Sequence, residues 1–348
     1  MERVNLFSDT QTRPTDGMRR AIAEAEVGDE QRFADPTTTR LQERVAELLG
    51  HEAALFLPSG TMCNQIAIRL HIRPGGDELI AAANSHPVNY EAGGPALFGS
   101  AMVRTVDAPT GVFEPEQLEA AIRPGGDRYA PRSRLVSVEQ TTNLGGGRVW
   151  PLATVRAVVE IARAHEMRAH MDGARLMNAV VASGTSAAEW AGDFDTAWID
   201  FTKGLGAPVG AVLAGSRALI DEAWRYKQMW GGALRQAGIV AAAGMYALDH
   251  NVERLAEDHE NARVLAEGLA ELPGIDLDPA EVETNIVVFP FADAGWLCAE
   301  LERHGVRMGV IAPGVVRAVT HLDVDRAGIE QALTVAREVL ARQPAQHF

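Results

Sequence analysis

Residues 198–206 read WIDFTKGLG, and this stretch decides the fold and the chemistry that we expect. A mostly apolar run leads to Lys203, and glycines stand at positions 204 and 206 just after it. Such a run is typical of a buried strand, so Lys203 is expected at a strand end where water is partly excluded. Partial burial favours the neutral, nucleophilic amine that a Schiff-base lysine requires. A surface lysine that merely ends a strand is the simpler alternative.

A second strand end lies upstream, in residues 168–175, which read RAHMDGAR. Asp172 ends this strand and could face Lys203 across one pocket. Pyridoxal phosphate needs that pair, because a lysine binds its aldehyde and a carboxylate keeps its ring nitrogen protonated. His170 and Asp172 could instead bind a metal ion, but no third ligand follows at short spacing, so we expect none.

The composition excludes several classes of partner. The chain has 348 residues, 47% hydrophobic and 23% charged, as is usual for a globular protein of more than one domain. A net charge of −15 argues against nucleic acid and anionic membranes as partners. No apolar run has transmembrane length, and residues 1–6 do not suggest a signal peptide. The two cysteines, Cys63 and Cys298, favour a reducing, cytoplasmic location over a disulfide framework.

Strands and helices alternate from about residue 50 to residue 215. This order predicts an α/β domain with a mostly parallel central sheet and helices on both faces. Ligands bind such sheets beyond the carboxyl ends of their strands. Polar candidates stand just past five predicted strand ends: Ser59, His86, Thr142, Asp172 and Lys203. Ser59 could simply cap a helix, and His86 could be an ordinary loop histidine, but five candidates at one edge favour a site.

The ends of the chain have a different pattern. Residues 1–36 are too polar for a core element and predict an arm that frays or lies across another part. We place a domain boundary near residue 250, which divides a large domain (1–250) from a small α+β domain (251–348). Strands are predicted at 284–289 and 315–321. Arg317 lies in the second of these, where a salt bridge or a substrate carboxylate could pair with it.

Several long motifs, in the same order, resemble the low-specificity L-threonine aldolases, which are fold-type-I pyridoxal-phosphate enzymes. The resemblance spans nearly the whole chain and includes SDTQTRPT, LFLPSGTMCNQIA, HMDGARLMNAV, KGLGAPVGAVLAGS and RAVTHLDV. It implies a homodimer or a homotetramer with shared active sites. It also implies a small amino acid as the substrate.

The resemblance assigns roles residue by residue. Lys203 would hold the cofactor aldehyde, and His86 would stack on the ring and serve catalysis. Other residues implied at the cofactor are Ser59, Gly60, Thr61, Asp172, Arg175 and, from a neighbouring subunit, Lys227 and Arg235. The substrate carboxylate would be bound by Arg175 and Arg317, with Ser8 nearby.

Two positions depart from the family pattern. Residues 139–143 read EQTTN where relatives have ENTHN, so Thr142 replaces a histidine thought to contact the substrate β-hydroxyl. Threonine cannot act as a base at neutral pH, so His86, a water molecule or another group would take the proton. Arg32 replaces a tyrosine and could bind an extra acidic group of the substrate. Both changes concern substrate choice rather than cofactor binding.

The expected activity is that of an aldehyde-lyase. It would cleave L-threonine, L-allo-threonine or a related β-hydroxy-α-amino acid to glycine and an aldehyde. β-Elimination, racemisation or transaldol exchange on the same cofactor is the alternative. A non-catalytic carrier would not need two carboxylate-binding arginines, and a nucleotide-binding oxidoreductase would need a G-x-G-x-x-G motif after its first strand, which is absent.

Overall fold

The structure, a computed structural model, describes residues 4–342. The strands are β1 (Val4–Asn5), β2 (Ala53–Leu57), β3 (Glu78–Ala82), β4 (Met102–Val106), β5 (Ser133–Glu139), β6 (Arg168–Gly173), β7 (Thr196–Asp200), β8 (Ala211–Gly215), β9 (Ile286–Pro290), β10 (Val306–Arg307), β11 (Gly309–Ala312) and β12 (Val315–Val319). The helices are α1 (Asp16–Ala23), α2 (Pro36–Leu49), α3 (Gly60–His71), α4 (His86–Asn89), α5 (Gly94–Leu97), α6 (Pro115–Ala121), α7 (Leu152–Ala164), α8 (Leu176–Ser183), α9 (Ala187–Ala191), α10 (Arg217–Met229), α11 (Gly238–His250), α12 (Leu255–Ala270), α13 (Ala294–Arg303) and α14 (Arg326–Ala341).

Seven strands form the central sheet, in the order β2-β8-β7-β6-β5-β3-β4. Neighbouring strands are parallel from β7 through to β4, whereas β8 runs antiparallel to both β7 and β2. Since β8 is antiparallel to both of its neighbours, β2 and β7 run in the same direction. The carboxyl ends of β2, β3, β5, β6 and β7 therefore meet at one edge.

Apolar side chains cover both faces of this sheet. Alternate residues of a strand point to opposite faces, so Leu55 and Leu57 pack on one side and Phe56 on the other. Trp198 joins the cluster of Leu55, and Ile199 joins that of Phe56. The predicted sheet with helices on both faces is thereby confirmed.

Helix starts follow from local capping chemistry. Asp35 accepts the Thr38 backbone N–H at 2.9 Å, and Pro36 occupies the first position of α2. Ser59 accepts the Met62 backbone N–H at 3.2 Å and so begins α3 directly after β2. This short connection places the amino end of α3 at the edge where the strands end.

A second core lies in the C-terminal part of the chain. Strands β9, β12 and β11 form an antiparallel sheet, with α12 and α14 packed together beside it. The predicted strand at 315–321 ends at Val319, two residues earlier, and the next hydroxyl, that of Thr320, donates to Asp258 O on α12 at 2.6 Å.

The N-terminal arm is ordered against this second core. Strand β1 pairs in parallel with β10, and Val4 and Leu6 are buried in the C-terminal cluster. The arm thus lies across the molecule, the second of the two expected possibilities. The division at residue 250 stays a prediction, and the pairing of β1 shows that residues 4–6 pack with the C-terminal part.

Candidate active site

A cavity of about 430 Å³ opens at the shared carboxyl edge of the sheet. It is lined by the ends of β2, β6 and β7 and by the loops that follow them. The sequence-predicted residues that line it are Ser59, Gly60, Thr61, His86, Asp172 and Lys203. The structure therefore brings six candidates from four separate segments to one cavity.

Asp172 is held firmly on the floor of this cavity. Its side chain is buried, Oδ2 accepts from Asn64 Nδ2 at 2.8 Å, and Oδ1 accepts from the Ala174 backbone N–H at 3.1 Å. These bonds fix the carboxylate in place and leave lone pairs on both oxygens. The arrangement suits a carboxylate that must face a protonated ring nitrogen.

Lys203 follows β7 and is mostly shielded from solvent, with a side-chain exposure of 15%. Its Nζ lies 3.0 Å from Asp200 Oδ2, and the hydroxyl and backbone N–H of Thr202 donate to Asp200 Oδ1. Asp200 thus provides a fixed counter-charge for the lysine when it is not bonded to a cofactor.

His86 begins helix α4 beside the same cavity. Its Nδ1 lies 2.9 Å from Glu91 Oε1. Burial lowers the pKa of the His86 imidazole, but the bond to Glu91 and the charges of Asp172 and Glu91 outweigh burial, so this pKa lies above its ordinary value. The imidazole is therefore biased toward its cationic form.

The amino end of α3 provides an anion-binding face. Ser59 and Thr61 are exposed at the cavity mouth, and Gly60 lies between them. A side chain at Gly60 would collide with the Trp198 ring at 2.2 Å, so this position requires glycine. Free N–H groups and hydroxyls at a helix start suit a phosphate.

A second cavity of about 400 Å³ adjoins the first and shares Thr10, His86, Ala174 and Lys203 with it. Its further lining residues include Ser8, Glu139, Thr141, Arg175 and Arg317. Arg317 donates from one terminal nitrogen to Asn143 Oδ1 at 2.8 Å. Its Nε is buried and meets no acceptor among residues 4–342. Burial and the charge of Arg175 lower the pKa of Arg317, so an anion in this cavity would be favoured.

Arg175 is already engaged by the N-terminal arm. Its Nε and one terminal nitrogen donate to the two oxygens of Asp9 at 2.8 and 2.7 Å, and both side chains are buried. Burial raises the pKa of the Asp9 carboxyl, but the charge and hydrogen bonds of Arg175 outweigh burial and hold this pKa well below its ordinary range. One edge of the guanidinium is thereby occupied by Asp9, and the predicted contact of Arg175 with a substrate remains a prediction.

Four sequence candidates lie outside both cavities. Thr142 is buried, and its hydroxyl accepts the Arg148 backbone N–H at 3.2 Å. Arg32 is exposed in the 3₁₀ turn Glu30–Arg32. Lys227 is completely buried and paired with Glu30 at 2.7 Å, and the exposed Arg235 is paired with Asp29 at 3.2 Å. Their predicted contacts with substrate or with a neighbouring subunit remain predictions.

Five site residues escaped sequence reasoning, namely Asp9, Asn64, Glu91, Glu139 and Asp200. Burial and the nearby charge of Asp172 raise the pKa of the Glu139 carboxyl to about 7, against backbone N–H donors from Asn143 and His86. The only sequence signal for Glu139 was a charged residue closing an apolar strand, which equally describes Asp200.

The residues around the first cavity fit pyridoxal phosphate. An amine, a buried carboxylate with free lone pairs, an imidazole and a glycine-containing helix start all face the same space. Among residues 4–342 no group of three or more His, Cys, Asp and Glu side chains could hold a metal ion. That part of the chain also contains no helix long and apolar enough to cross a bilayer.

Comparison with known proteins agrees with this site. Residues 5–292 match the family model of the β-eliminating lyases. The chain is 39% identical to low-specificity L-threonine aldolase 1 of Arabidopsis thaliana, over 98% of this chain and 97% of the relative. It is 40% identical to the low specificity L-threonine aldolase of Escherichia coli K12, over 97% and 100%. The solved threonine aldolase of Leishmania major superposes with a TM-score of 0.83, at 21% identity over 97% and 99%.

Fold and site together define a fold-type-I pyridoxal-phosphate-dependent lyase that acts on a small amino acid. The chain belongs to the β-eliminating lyase family and, within it, to the low-specificity L-threonine aldolases.

Proposed function

We propose that the two adjoining cavities carry out retro-aldol cleavage of L-threonine, L-allo-threonine or a related β-hydroxy-α-amino acid to glycine and an aldehyde. The observation that carries this proposal is that Lys203 and His86 line both cavities. The first cavity has the groups that pyridoxal phosphate needs, and the second is lined by Arg175 and Arg317. An amino acid whose carboxylate lies at Arg317 then has its α-amino group beside Lys203.

The protein residues divide the work on the cofactor. Bound pyridoxal phosphate supplies an electron sink for the pair of electrons released when the Cα–Cβ bond breaks. Asp172 would pair with the protonated ring nitrogen, and the amino end of α3 would bind the phosphate. Lys203 would hold the aldehyde and would afterwards move a proton at the substrate Cα, while Asp200, 3.0 Å from its Nζ, would be its counter-charge.

The substrate is oriented by its carboxylate. Arg317 offers its unpartnered Nε, and Arg175 adds a second positive charge held in place by Asp9. Ser8 lies in the same cavity and could donate its hydroxyl. Fixing the carboxylate in this way would limit the orientations that the substrate can adopt in the cavity.

Glu139 is the acceptor that we assign to the β-hydroxyl proton. It lines the substrate cavity, and a carboxyl with a pKa of about 7 is half ionised at neutral pH. His86 is biased toward its cation by Glu91, and the Thr142 hydroxyl lies outside the cavity. The proton taken up by Glu139 would balance the one that Lys203 would give to Cα, and its transfer back to Lys203, which lines the same cavity, would restore both groups.

The deciding experiment maps the cofactor and the products. The chain contains only two lysines, Lys203 and the buried Lys227, so borohydride reduction with pyridoxal phosphate and peptide mass mapping must distinguish just two side chains. We expect the label on Lys203 and its loss in the Lys203→Ala variant. Label on Lys227, or none, would refute the site.

The products decide the reaction. L-Threonine, L-allo-threonine, phenylserine and 3-hydroxyaspartate would each be supplied, and glycine and aldehyde measured. Appearance of pyruvate or a D-amino acid in place of glycine would instead establish elimination or racemisation. The last substrate also tests whether Arg32 recognises an extra acidic group.

We propose further that the active protein is a cytoplasmic homodimer or homotetramer with no nucleic-acid or membrane partner. The net charge of −15 supports this exclusion. Sedimentation equilibrium tests the assembly. In a shared site, Arg235 of one subunit would reach the phosphate bound by the next, so Arg235→Gln would weaken cofactor binding.

A further inference from the structure

One buried amide connects Asp172, which lines the cofactor cavity, with Glu91, which contacts His86 beside that cavity. Asn64 Nδ2 donates to Asp172 Oδ2 at 2.8 Å and to Glu91 Oε1 at 2.6 Å. Its Oδ1 accepts from Trp198 Nε1 at 2.7 Å and lies 3.1 Å from His170 Nε2. Asn64 is completely buried, so all four of its hydrogen-bonding positions are filled by protein groups.

The contacts fix the orientation of this amide. An indole N–H can only donate, so the Asn64 oxygen must face Trp198, and the nitrogen must face the carboxylates. His170 therefore donates from Nε2, and its Nδ1 accepts from the Thr196 hydroxyl, 2.8 Å away. Burial lowers the pKa of His170 to about 3, which keeps this imidazole neutral.

The network continues away from the cavity. The Thr196 oxygen lies 2.9 Å from His71 Nε2, and burial lowers the pKa of His71 to about 4. Since the two imidazoles and the hydroxyl are all neutral, they contribute fixed hydrogen bonds rather than charge. The order of donors and acceptors in this network therefore directs the two N–H groups of Asn64 at Asp172 and Glu91.

Both carboxylates serve the cofactor cavity. Asp172 lines its floor, and Glu91 holds His86 through Nδ1 at 2.9 Å. Two buried negative groups on one amide nitrogen would repel each other if the donor were removed. We propose that Asn64 is the positioning residue for both carboxylates. By holding Asp172 it would place the partner of the cofactor's ring nitrogen, and by holding Glu91 it would place His86 at the face of the ring. This inference rests on the proposed function for the cofactor's identity.

Other ionisable groups surround the amide and define the electrostatic background. They are Cys63 on α3, His86 on α4, Glu91 after α4, Glu139 on β5, His170 and Asp172 on β6, Asp200 and Lys203 at the end of β7, and Lys227 on α10. Near Asn64 the negative charges lie close together, so an added carboxylate there would take up a proton.

The Asn64→Asp variant tests the donor without changing shape. Its first oxygen can still accept from Trp198 and His170, but its second opposes Asp172 and Glu91. Only a proton can then replace the lost N–H groups. We expect this variant to bind pyridoxal phosphate about tenfold more weakly than wild type at pH 8.5 and to recover toward pH 6, because one charge-assisted hydrogen bond is worth about tenfold or more in binding.

The sign of this pH dependence is diagnostic. Schiff-base formation needs a neutral lysine amine, so ordinary binding does not improve as pH falls. Absorbance or fluorescence titration of the apoprotein with pyridoxal phosphate at each pH gives the dissociation constants. Identical pH profiles for Asn64→Asp and wild type would overturn the inference.

Two further variants separate positioning from mere stability. Thr196→Val removes the outer hydroxyl but keeps both Asn64 N–H donors, so it should lower the melting temperature and leave the wild-type pH profile of cofactor binding. Asn64→Leu should bind weakly at every pH, because leucine has neither a donor nor a group that a proton could turn into one. A recovery of Asn64→Leu toward pH 6 like that of Asn64→Asp would count against the proposal.

A cofactor-free readout separates this inference from the proposed function. In the apoprotein, NMR titration of the His86 imidazole should give a higher pKa in Asn64→Asp than in wild type, because Glu91 loses a donor and gains a charged neighbour. An unchanged His86 pKa would refute the role of Asn64. Absence of pyridoxal phosphate binding by wild type would instead refute the proposed function.

Discussion

Glu139 shows how one residue acquires a function that its type alone does not announce. It closes β5 with Oε2 2.7 Å from the His86 backbone nitrogen and Oε1 2.6 Å from that of Asn143. Burial and the charge of Asp172 outweigh these donors and raise the pKa of its carboxyl to about 7. The side chain is thus fixed in place and poised to exchange a proton near neutrality.

The Glu139→Gln variant should lose the alkaline activity of the enzyme. A base must be deprotonated, so wild-type kcat/KM should rise with pH through about pH 7 and then level off. The amide cannot take up the β-hydroxyl proton, and we expect a rate about 100-fold lower at pH 8 with no rise near pH 7.

Steady-state rates from pH 5.5 to 9 measure this effect. The control is Glu78→Gln, which alters another buried glutamate, at the start of β3 and paired with Arg123. It should keep the ascending limb. A rise near pH 7 that persists in Glu139→Gln would assign the proton to His86 or to water.

Arg317→Lys should raise KM without a comparable change in kcat. Lysine keeps the charge but loses the unpartnered Nε and the planar pair of donors that fits a carboxylate. We expect KM for L-threonine to rise about tenfold or more, with kcat within about threefold. Arg168→Lys is a matched control, since Arg168 pairs with Asp195 at 2.7 Å at the amino end of β6 and lines neither cavity. Equal KM values in wild type and Arg317→Lys would remove Arg317 from the substrate site.

At the scale of elements, the N-terminal arm is part of the active site. Strand β1 joins the arm to β10, and the 3₁₀ turn Asp9–Gln11 places Asp9 against Arg175. Asn285, next to β9, adds a donor to Asp9 at 3.1 Å. The arm, the central sheet and the C-terminal sheet therefore meet at one buried carboxylate.

Asp9→Asn should damage both stability and substrate binding. Removing one partner of a buried ion pair leaves Arg175 uncompensated, which costs about 3 kcal/mol of unfolding free energy. A misplaced Arg175 should also raise KM about tenfold. Urea unfolding and steady-state kinetics measure the two effects. Asp16→Asn, in the exposed first turn of α1, should change stability by less than about 1 kcal/mol and leave KM unchanged. If Asp9→Asn behaves like this control, the arm has no role in the site.

At the scale of the whole molecule, helix α12 links the two cores. It packs against α14 in the C-terminal core and against α8 beside the central sheet. His259 on α12 lies 3.0 Å from Asn178 on α8 through its Nε2. Burial lowers the pKa of His259 from 6.5 to about 4, so the folded protein keeps this imidazole neutral.

The half-buried His259 makes the folded state less stable in acid. The unfolded chain takes up a proton below pH 6.5, whereas the folded chain does so only near pH 4. Unfolding free energy should therefore fall as pH drops from 6.5 to 4, by up to about 1.4 kcal/mol per pH unit from this group. His259→Gln should reduce that slope by the same amount.

Urea unfolding at pH 5 and pH 7 measures the slope. His71→Gln offers an independent second test, because the folded pKa of His71 is also lowered to about 4. Each variant should lose a similar part of the acid sensitivity. A slope unchanged by either substitution would show that these histidines protonate without unfolding.

Much of the site could be predicted from the chain alone. Lys203 and Asp172 each end an apolar run, and parallel strands bring their carboxyl ends to one edge whatever the details of packing. The same pattern placed Ser59 and His86 there. The positions of these residues at the sheet edge were predictable because strand periodicity and turn chemistry are local properties of the sequence.

Only the tertiary structure decided which side chains act on one another. Asn64 meets Asp172 across 108 positions of sequence, and Asp9 meets Arg175 across 166. Thr141 lines the second cavity, whereas Thr142, one position later, does not, and its hydroxyl accepts from the Arg148 backbone N–H. Local pattern determines where a strand ends and which residue ends it. The direction of a loop side chain and the choice of a distant partner depend on how burial, charge and hydrogen bonding are satisfied throughout the folded chain.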